Sequence, residues 1–149
     1  MGKKLKGEKG RVFCLTSDGE WNEGSNWEAL IFLTHRQIDH LTLIVDLNGL
    51  QGFGRTRDIA NLGQLSEKFR SFGLHTVEVD GHDPAGLASE LARDVPGPRA
   101  IVARTKKGSH VSFMEDGFEW HYLPLNEDPY HQAIRELDDK CAAHSAEHS

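Results

Sequence analysis

Two oxygen-bearing side chains stand at the ends of the first two apolar runs of the chain. Asp18 follows the run RVFCLT, and Asn48 closes the run LTLIVDLN. Ligands of an open α/β sheet bind just outside the carboxyl ends of its strands, so these side chains are expected to converge although 30 residues separate them. A carboxylate and an amide oxygen form a hard, oxygen-only pair that suits Mg²⁺.

The ligand that this pattern predicts is a metal-bound diphosphate. Two protein ligands are too few for an octahedral ion, so a backbone carbonyl and phosphate oxygens would complete the shell. Gly19 lets the backbone approach a phosphate closely. A helix beginning after Gly19 would offer free N–H groups and the positive end of its dipole.

Two other interpretations of the same residues remain open. An Asp-Gly pair after a strand is most often an ordinary turn, and Asn48-Gly49 is likewise a common turn pair. A Mg²⁺-dependent phosphatase of doubly wound fold would use Asp18 as its nucleophile. Such enzymes usually carry a second aspartate two residues later, where this chain has Glu20, so the phosphatase ranks low.

The elements that would position these residues alternate between strand-like and helix-like segments. Four apolar runs resemble strands covered on both faces: RVFCLT, LTLIVDLN, HTVEVDG and RAIVART. Helical patterns separate them, with Gly73 as the expected stop of the second helix and Asp83 with Pro84 as the expected start of the third. The βαβαβαβ order predicts a doubly wound α/β fold with a mostly parallel sheet.

The organisation predicted for the whole chain is one domain with two short ends. Residues 1–10 are expected to form a solvated basic arm, 11–143 the α/β domain, and 144–149 a frayed tail. A long loop follows the fourth strand, and a last helix begins near Pro129. At 149 residues the chain can bury a core of its own.

Composition excludes several classes of function. A net charge of −6 argues against non-specific nucleic-acid binding. No apolar run approaches the roughly 20 residues that span a bilayer, the basic start lacks the apolar core of a secretory signal, and Gly2 opens no myristoylation pattern. Cys14 and Cys141 are far apart in sequence, and Cys14 is expected to be buried; a reducing, cytoplasmic location is the default.

Five ordered segments of the chain together resemble the transketolase family. TSDGEWNEGSNWEALIF followed by LTLIVDLNGLQGFG is similar to its thiamine-diphosphate motif, which is Gly-Asp-Gly, then roughly thirty residues, then Asn. FGLHTVEVDGHDPAGL, RAIVARTKKGSHVSFMED and EWHYLPL resemble later segments of the family. The resemblance runs from about residue 11 to 125 and implies a thiamine-diphosphate-binding fold, here part of the diphosphate-binding domain.

The resemblance implies a set of cofactor-binding residues. Asp18 and Asn48 match the side-chain ligands of Mg²⁺, and Leu50 matches the residue whose backbone carbonyl is the third ligand. Gly19 and Glu20 match positions beside the diphosphate. The implied cofactors are therefore thiamine diphosphate and Mg²⁺.

Other matched residues are assigned to the substrate and to the subunit interface. His121 matches the catalytic histidine of the Trp-His segment. Glu23 and Glu28 match acids that lie between the two cofactor sites of transketolase-like dimers, although acids in a first helical turn also favour the helix dipole. His82 recurs in the family pattern, and a polar neighbour of the Asp83 cap explains it equally well.

The chain departs from the family pattern at two positions and in extent. Ser17 replaces the first glycine of the motif, and Tyr122 replaces the glycine expected after His121, which would narrow or redirect the substrate pocket. The family's pyrimidine-binding domain, with the glutamate that activates the cofactor, has no counterpart in these residues, and neither has the first part of the diphosphate-binding domain.

The implied function is that of one subunit of a split transketolase-type enzyme. A complementary subunit would supply the pyrimidine-binding domain, the assembly would be a dimer or larger, and a two-carbon ketol unit would pass between sugar phosphates. The alternative is a truncated, non-catalytic remnant that acts only as an interaction module.

Overall fold

A central sheet with four parallel strands organises the fold. The computed structural model describes residues 2–147, without the side chains of Lys4 and of residues 144–147. The four strands are β1 (Val12–Ser17), β2 (Leu41–Leu47), β5 (His75–Asp80) and β6 (Arg99–Arg104), and β3 (Leu50–Gln51) and β4 (Gly54–Arg55) form a separate small hairpin. The helices are α1 (Gly2–Lys6), α2 (Gly24–His35), α3 (Thr56–Ile59), α4 (Leu65–Ser71), α5 (Pro84–Ala92) and α6 (Glu127–Glu147).

The strand order β1-β2-β6-β5, with every pair parallel, confirms the predicted α/β fold. The register places Ser17 beside Asp46 and Leu47 beside Arg104. The carboxyl ends of β1, β2 and β6 therefore lie at one edge of the sheet. Asp18 and Asn48, each the first residue after its strand, both lie at that edge.

Helices cover both faces of the sheet. On one face, α2 and α4 bury the main core, which includes Trp21, Leu43, Phe69 and Val102. Arg99 is on the opposite face because side chains alternate along β6. Its guanidinium donates to the carbonyls of Glu90 and Arg93, at the end of α5.

Phe69 is the centre of the aromatic core. Its side chain is fully buried, and its ring contacts Trp21 edge-on at 4.6 Å between centroids. Phe69→Ala is expected to lower the free energy of unfolding by about 3–5 kcal/mol, because the cavity adds to the lost burial. Phe53→Ala is the matched control, since Phe53 is 85% exposed, and a shift of more than about 0.5 kcal/mol there would be unexpected. Urea denaturation measures both.

The prediction that Cys14 is buried is wrong. Cys14 is exposed, and Phe13 and Leu15 on the same strand are 52% and 71% exposed. Among the described residues, β1 is an edge strand that pairs only with β2. Cys14 lies on the opposite face from Phe13 and Leu15, so β1 has exposed side chains on both faces. An apolar run shows that a strand has apolar side chains, but it does not show what covers them.

Two predicted helix boundaries are confirmed, and both ends of the described chain contain helix. The helix stop at Gly73 (φ 90°) and the Asp83 cap, which accepts from the Ala85 N–H, are confirmed. The predicted arm contains the short helix α1. The last helix extends to Glu147, where a frayed tail was expected from residue 144, and His148 and Ser149 lie outside the described residues.

Candidate functional site

Asp18 is a buried carboxylate whose two oxygens have different surroundings. The residue is 1% exposed. Its Oδ2 accepts from the Gly49 N–H at 2.8 Å and from the Thr56 hydroxyl at 3.0 Å. Its Oδ1 is buried and has no hydrogen-bond partner within residues 2–147. Oδ2 therefore anchors Gly49 and Thr56, and Oδ1 is available to a ligand.

The structure held together by Oδ2 is the base of the β3–β4 hairpin. Gly49 has a φ of 73°, which favours glycine, and its carbonyl accepts from the Thr56 N–H at 2.9 Å. Gly49 and Thr56 thus meet at the foot of residues 50–55, and both donate to Asp18. The carboxylate fixes the hairpin against the end of β1.

Asn48 and Leu50 lie beside this carboxylate. The Asn48 Oδ1 accepts from the Leu50 N–H at 2.9 Å, and the Asn48 Nδ2 donates to the Asp46 carboxylate at 3.3 Å. Leu50 is buried as the first residue of β3. The chain therefore brings together the three residues predicted as metal ligands: Asp18 and Gly49 are in contact, and Gly49 joins Asn48 to Leu50 in sequence.

Burial raises the pKa of Asp18 above the usual aspartate value. Hydrogen bonds from Thr56 and Gly49 and the nearby backbone N–H of Gly19 oppose this effect, and the nearby Asp46 carboxylate adds to it. The charged form is thus held in a place where water solvates it poorly. A cation at the free Oδ1 would compensate that charge.

The donor set fits Mg²⁺ only if phosphate oxygens complete the coordination shell. A carboxylate oxygen, an amide oxygen and a backbone carbonyl are the hard ligands that Mg²⁺ takes. Within residues 2–147, no group of three or more His, Cys, Asp or Glu side chains could hold a metal. The site has one carboxylate with a free oxygen, so the remaining charge must come from the ligand itself.

Gly19 lies under the hairpin, so close to Gln51 that a Cβ at this position would force the Gln51 side chain to shift. A Cβ at this position would approach the Gln51 Cγ to 2.9 Å. The Gln51 Nε2 is also buried without a hydrogen-bond partner in the described part of the chain. The hairpin thus places the Gln51 Nε2, which has no hydrogen-bond partner among the described residues, beside Asp18 and Gly19.

The segment after Gly19 differs from the predicted helix. Gly19–Asn22 is one turn of 3₁₀ helix, and α2 begins only at Gly24. The Glu20 carboxylate folds back to accept from the N–H and hydroxyl of Ser17, at 2.6 and 3.0 Å. No helix dipole points from Gly19 at a phosphate, and the cofactor role of Glu20 stays a prediction.

A cleft of about 280 Å³ opens onto Asp18. Its lining includes Gly49, Thr56, Arg55 and Arg57. Two arginines beside a buried carboxylate suit a ligand that carries both a cation and phosphates. The cleft therefore has the mixed charge that a metal diphosphate needs.

His121 lies next to Tyr122, whose hydroxyl approaches Gly52 of the hairpin, and no contact joins His121 itself to the Asp18 cluster among residues 2–147. The His121 ring stacks edge-on against Tyr122, with 4.7 Å between centroids. The Tyr122 hydroxyl lies where a Cβ of Gly52 would stand, and Gly52 is two residues after Leu50. His121 is exposed, within a 3₁₀ turn. Its catalytic role stays a prediction.

The remaining sequence candidates lie outside this cluster. The His82 Nε2 accepts from the Lys106 N–H at 2.8 Å and so fastens the loop after β6. Glu23 directly precedes α2, and Glu28 lies beyond its first turn, so the expected pair of first-turn acids is wrong. Both glutamates are exposed, and their interface role stays a prediction.

Sequence reasoning missed the hairpin, Thr56 and Asp46. Three glycines within residues 49–54 were a signal for a tight turn. Nothing in the sequence marks Thr56 as a partner of Asp18, because 38 residues separate them.

Among residues 2–147, no helix is long and apolar enough to span a membrane.

The fold and the site define a class of protein: an α/β domain with a candidate ligand site at the carboxyl edge of a parallel sheet. Comparison with known proteins is more specific. Residues 6–142 match the family described as "Transketolase, thiamine diphosphate binding domain". The chain belongs to this family.

Named relatives include subunits of transketolases. The chain is 37% identical to a subunit of the apulose-4-phosphate transketolase of Actinobacillus succinogenes, over 92% of this chain and 50% of the relative. It is 36% identical to 6-deoxy-6-sulfo-D-fructose transketolase subunit SqwG of a Clostridium species, over 88% of this chain and 49% of the relative. The chain thus spans about half the length of these relatives.

Solved transketolase structures share the fold. The transketolase of Campylobacter jejuni superposes with a TM-score of 0.79 at 25% identity, over 87% of this chain and 21% of that one. Human transketolase is 35% identical over 85% of this chain, which spans 20% of it. The chain corresponds to one part of these longer proteins.

Proposed function

We propose that this chain binds the diphosphate and Mg²⁺ of thiamine diphosphate as one subunit of a split transketolase-type enzyme. The observation that carries the proposal is the buried Asp18 Oδ1, which has no partner among residues 2–147, beside Gly19 and the hairpin. Because the chain belongs to a family of thiamine-diphosphate-binding domains, thiamine diphosphate is the ligand that we propose for the site. The arginines of the adjacent cleft would neutralise its phosphates.

Each residue of the site has a distinct role in this proposal. The Asp18 Oδ1, the Asn48 Oδ1 and the Leu50 carbonyl would hold Mg²⁺, and Gly19 would admit the diphosphate. When bound, thiamine diphosphate supplies the nucleophilic carbon and the electron sink for two-carbon ketol transfer. His121 would act on the substrate, and Tyr122, whose hydroxyl lies close to Gly52 of the hairpin, would narrow or redirect the substrate pocket.

The names of two relatives support a proposal for the substrates and the assembly. Two relatives are named as subunits of transketolases for apulose 4-phosphate and for a sulfo-fructose. We infer that this chain pairs with a complementary subunit that carries the pyrimidine-binding domain, in a dimer or larger assembly that acts on sugar phosphates. Cys14 and Cys141 form no disulfide within residues 2–147, and we infer a reducing, cytoplasmic location.

Calorimetric titration tests the proposal directly. Thiamine diphosphate with Mg²⁺ should bind, and thiamine with Mg²⁺ or thiamine diphosphate with EDTA should bind at least about tenfold more weakly. Gly19→Ala should weaken binding because a Cβ meets Gln51 at 2.9 Å. Gly24→Ala is the matched control, since a Cβ there meets nothing within 4 Å. Equal affinity for thiamine and its diphosphate would refute the proposal.

A further inference from the structure

Asp46 joins the ends of three strands at the candidate metal site. Its Oδ1 accepts from the hydroxyl of Thr105, the first residue after β6, and its Oδ2 accepts from the Asn48 Nδ2 at 3.3 Å. Its backbone carbonyl accepts from the Asp18 N–H at 3.0 Å. Both carboxylate oxygens are therefore engaged by neighbouring side chains.

These contacts determine the orientation of the Asn48 amide. In the observed orientation, the Nδ2 faces a carboxylate and the Oδ1 faces the Leu50 N–H. A flipped amide would place its oxygen against the Asp46 carboxylate and its NH₂ group against an N–H donor, and both contacts would be repulsive. The amide oxygen keeps a second lone pair after accepting from Leu50, and this lone pair remains for a cation.

We propose that Asp46 and Thr105 are positioning residues that hold the Asn48 amide oxygen toward the metal. The Thr105 hydroxyl orients the Asp46 carboxylate, the carboxylate fixes the Asn48 NH₂ group, and the opposite end of the amide presents its oxygen. The inference rests on the proposed function, because it assigns to Asp46 an effect on metal-diphosphate binding that acts through Asn48. Groups of this kind typically contribute about 10- to 100-fold to metal affinity.

Two variants of Thr105 separate the role of its hydroxyl from the role of its methyl group. Its methyl carbon packs against Gly81, where a Cβ would approach it to 2.3 Å. Thr105→Val keeps that packing and removes the hydroxyl, and Thr105→Ser keeps the hydroxyl and removes the methyl group. If the hydroxyl acts through Asp46, Val should weaken the binding of thiamine diphosphate with Mg²⁺ and Ser should retain it. The opposite order would assign Thr105 a packing role only.

A double-mutant cycle tests the route through Asn48. Calorimetry with thiamine diphosphate and Mg²⁺ would compare the wild type, Asp46→Ala, Asn48→Ala and the double variant, each checked for folding by circular dichroism. Asp46→Ala should lower affinity about 10- to 100-fold in the wild type and cause no further loss in the Asn48→Ala background. Asp80→Ala is the control. Asp80 is the last residue of β5, at the same edge of the sheet, and its exposed carboxylate accepts from the His82 N–H.

The outcomes separate this inference from the proposed function. If the wild type binds and the losses from Asp46→Ala and Asn48→Ala add, Asp46 acts independently of Asn48 and the positioning role is refuted. A wild-type affinity in Asp46→Ala would refute it equally. If the folded wild type binds no thiamine diphosphate even together with the complementary subunit, the proposed function fails and this inference fails with it.

Discussion

Asp18→Asn is expected to abolish Mg²⁺-dependent cofactor binding while leaving the cofactor-free chain at least as stable as the wild type. An asparagine can keep its Oδ1 in the place of the Asp18 Oδ2, where Gly49 and Thr56 donate at 2.8 and 3.0 Å. Its NH₂ group then replaces the buried oxygen that has no partner in residues 2–147. The hairpin keeps its anchor, and the cation loses its only carboxylate ligand.

The expected loss of affinity is large. Removal of an outer partner of a metal ligand typically costs about 10- to 100-fold, and the charged ligand itself should cost more than about 100-fold. Calorimetry with thiamine diphosphate and Mg²⁺ measures this change. Asp80→Asn is the matched control, because the same substitution there affects an exposed side chain at the same edge of the sheet.

The stability of the same variant should depend on pH with a definite sign. Burial raises the pKa of Asp18 in the folded chain above its unfolded value, so the folded state binds the proton more tightly. The wild type therefore loses stability as pH rises from the unfolded pKa to the folded pKa, and the full loss persists above that window. Asp18→Asn does not titrate, and its stability relative to the wild type should rise across this window and then level off.

Urea denaturation of both proteins without cofactor, at several pH values, checks the sign. A variant that becomes less stable than the wild type as pH rises would contradict the account of a buried, uncompensated charge. Near wild-type binding of the cofactor by Asp18→Asn would instead contradict the role of Asp18 as metal ligand. The two measurements therefore test two different properties of one side chain.

The sequence predicted the parallel sheet and the placement of Asp18 and Asn48 at one edge of it, because both follow from strand order. Parallel strands bring their carboxyl ends to one edge, so a residue that directly follows a strand has a predictable place. The Asp83 cap and the Gly73 stop were predictable for a similar reason, since each acts on its own helix.

The sequence did not predict features that depend on contacts between distant segments. The anchoring of Asp18 by Thr56 and the pairing of Asp46 with Thr105 join residues 38 and 59 positions apart. Cys14 was expected in the core because its strand is apolar, yet exposure depends on which elements cover the strand. The turn after Gly19 was expected to be α-helical, but the Glu20 side chain returns to Ser17 and α2 begins later.

The purified chain alone is expected to be inactive on ketose phosphates, even with saturating thiamine diphosphate and Mg²⁺. Under the proposed function, a pyrimidine-binding domain of the partner activates the cofactor, and this chain spans about half the length of the transketolase subunits that it matches. Loss of a single stabilising donor in an active site typically costs about 100- to 1,000-fold in rate. The absence of an entire activating group should cost at least as much.

The surface of the chain also suits a partner. Leu15 is 71% exposed on the edge strand, and Ile31 on α2 is 56% exposed. On α6, Tyr130, Ile134 and Leu137 follow helical spacing and are 50%, 41% and 39% exposed. An exposed apolar stripe on a helix, as on α6, typically marks an interface. The isolated chain is therefore expected to self-associate, and size-exclusion chromatography with light scattering measures this.

Addition of the complementary subunit, identified by co-purification from the source organism, should restore ketol transfer. The assay would follow release of the aldose product from a ketose phosphate, with each protein alone and with both together. The mixture containing Asp18→Asn is the control, because this variant keeps the hairpin anchor and so should assemble without restoring turnover. Turnover by the purified chain alone, free of host transketolase and retained after a further purification step, would show that the site needs no partner.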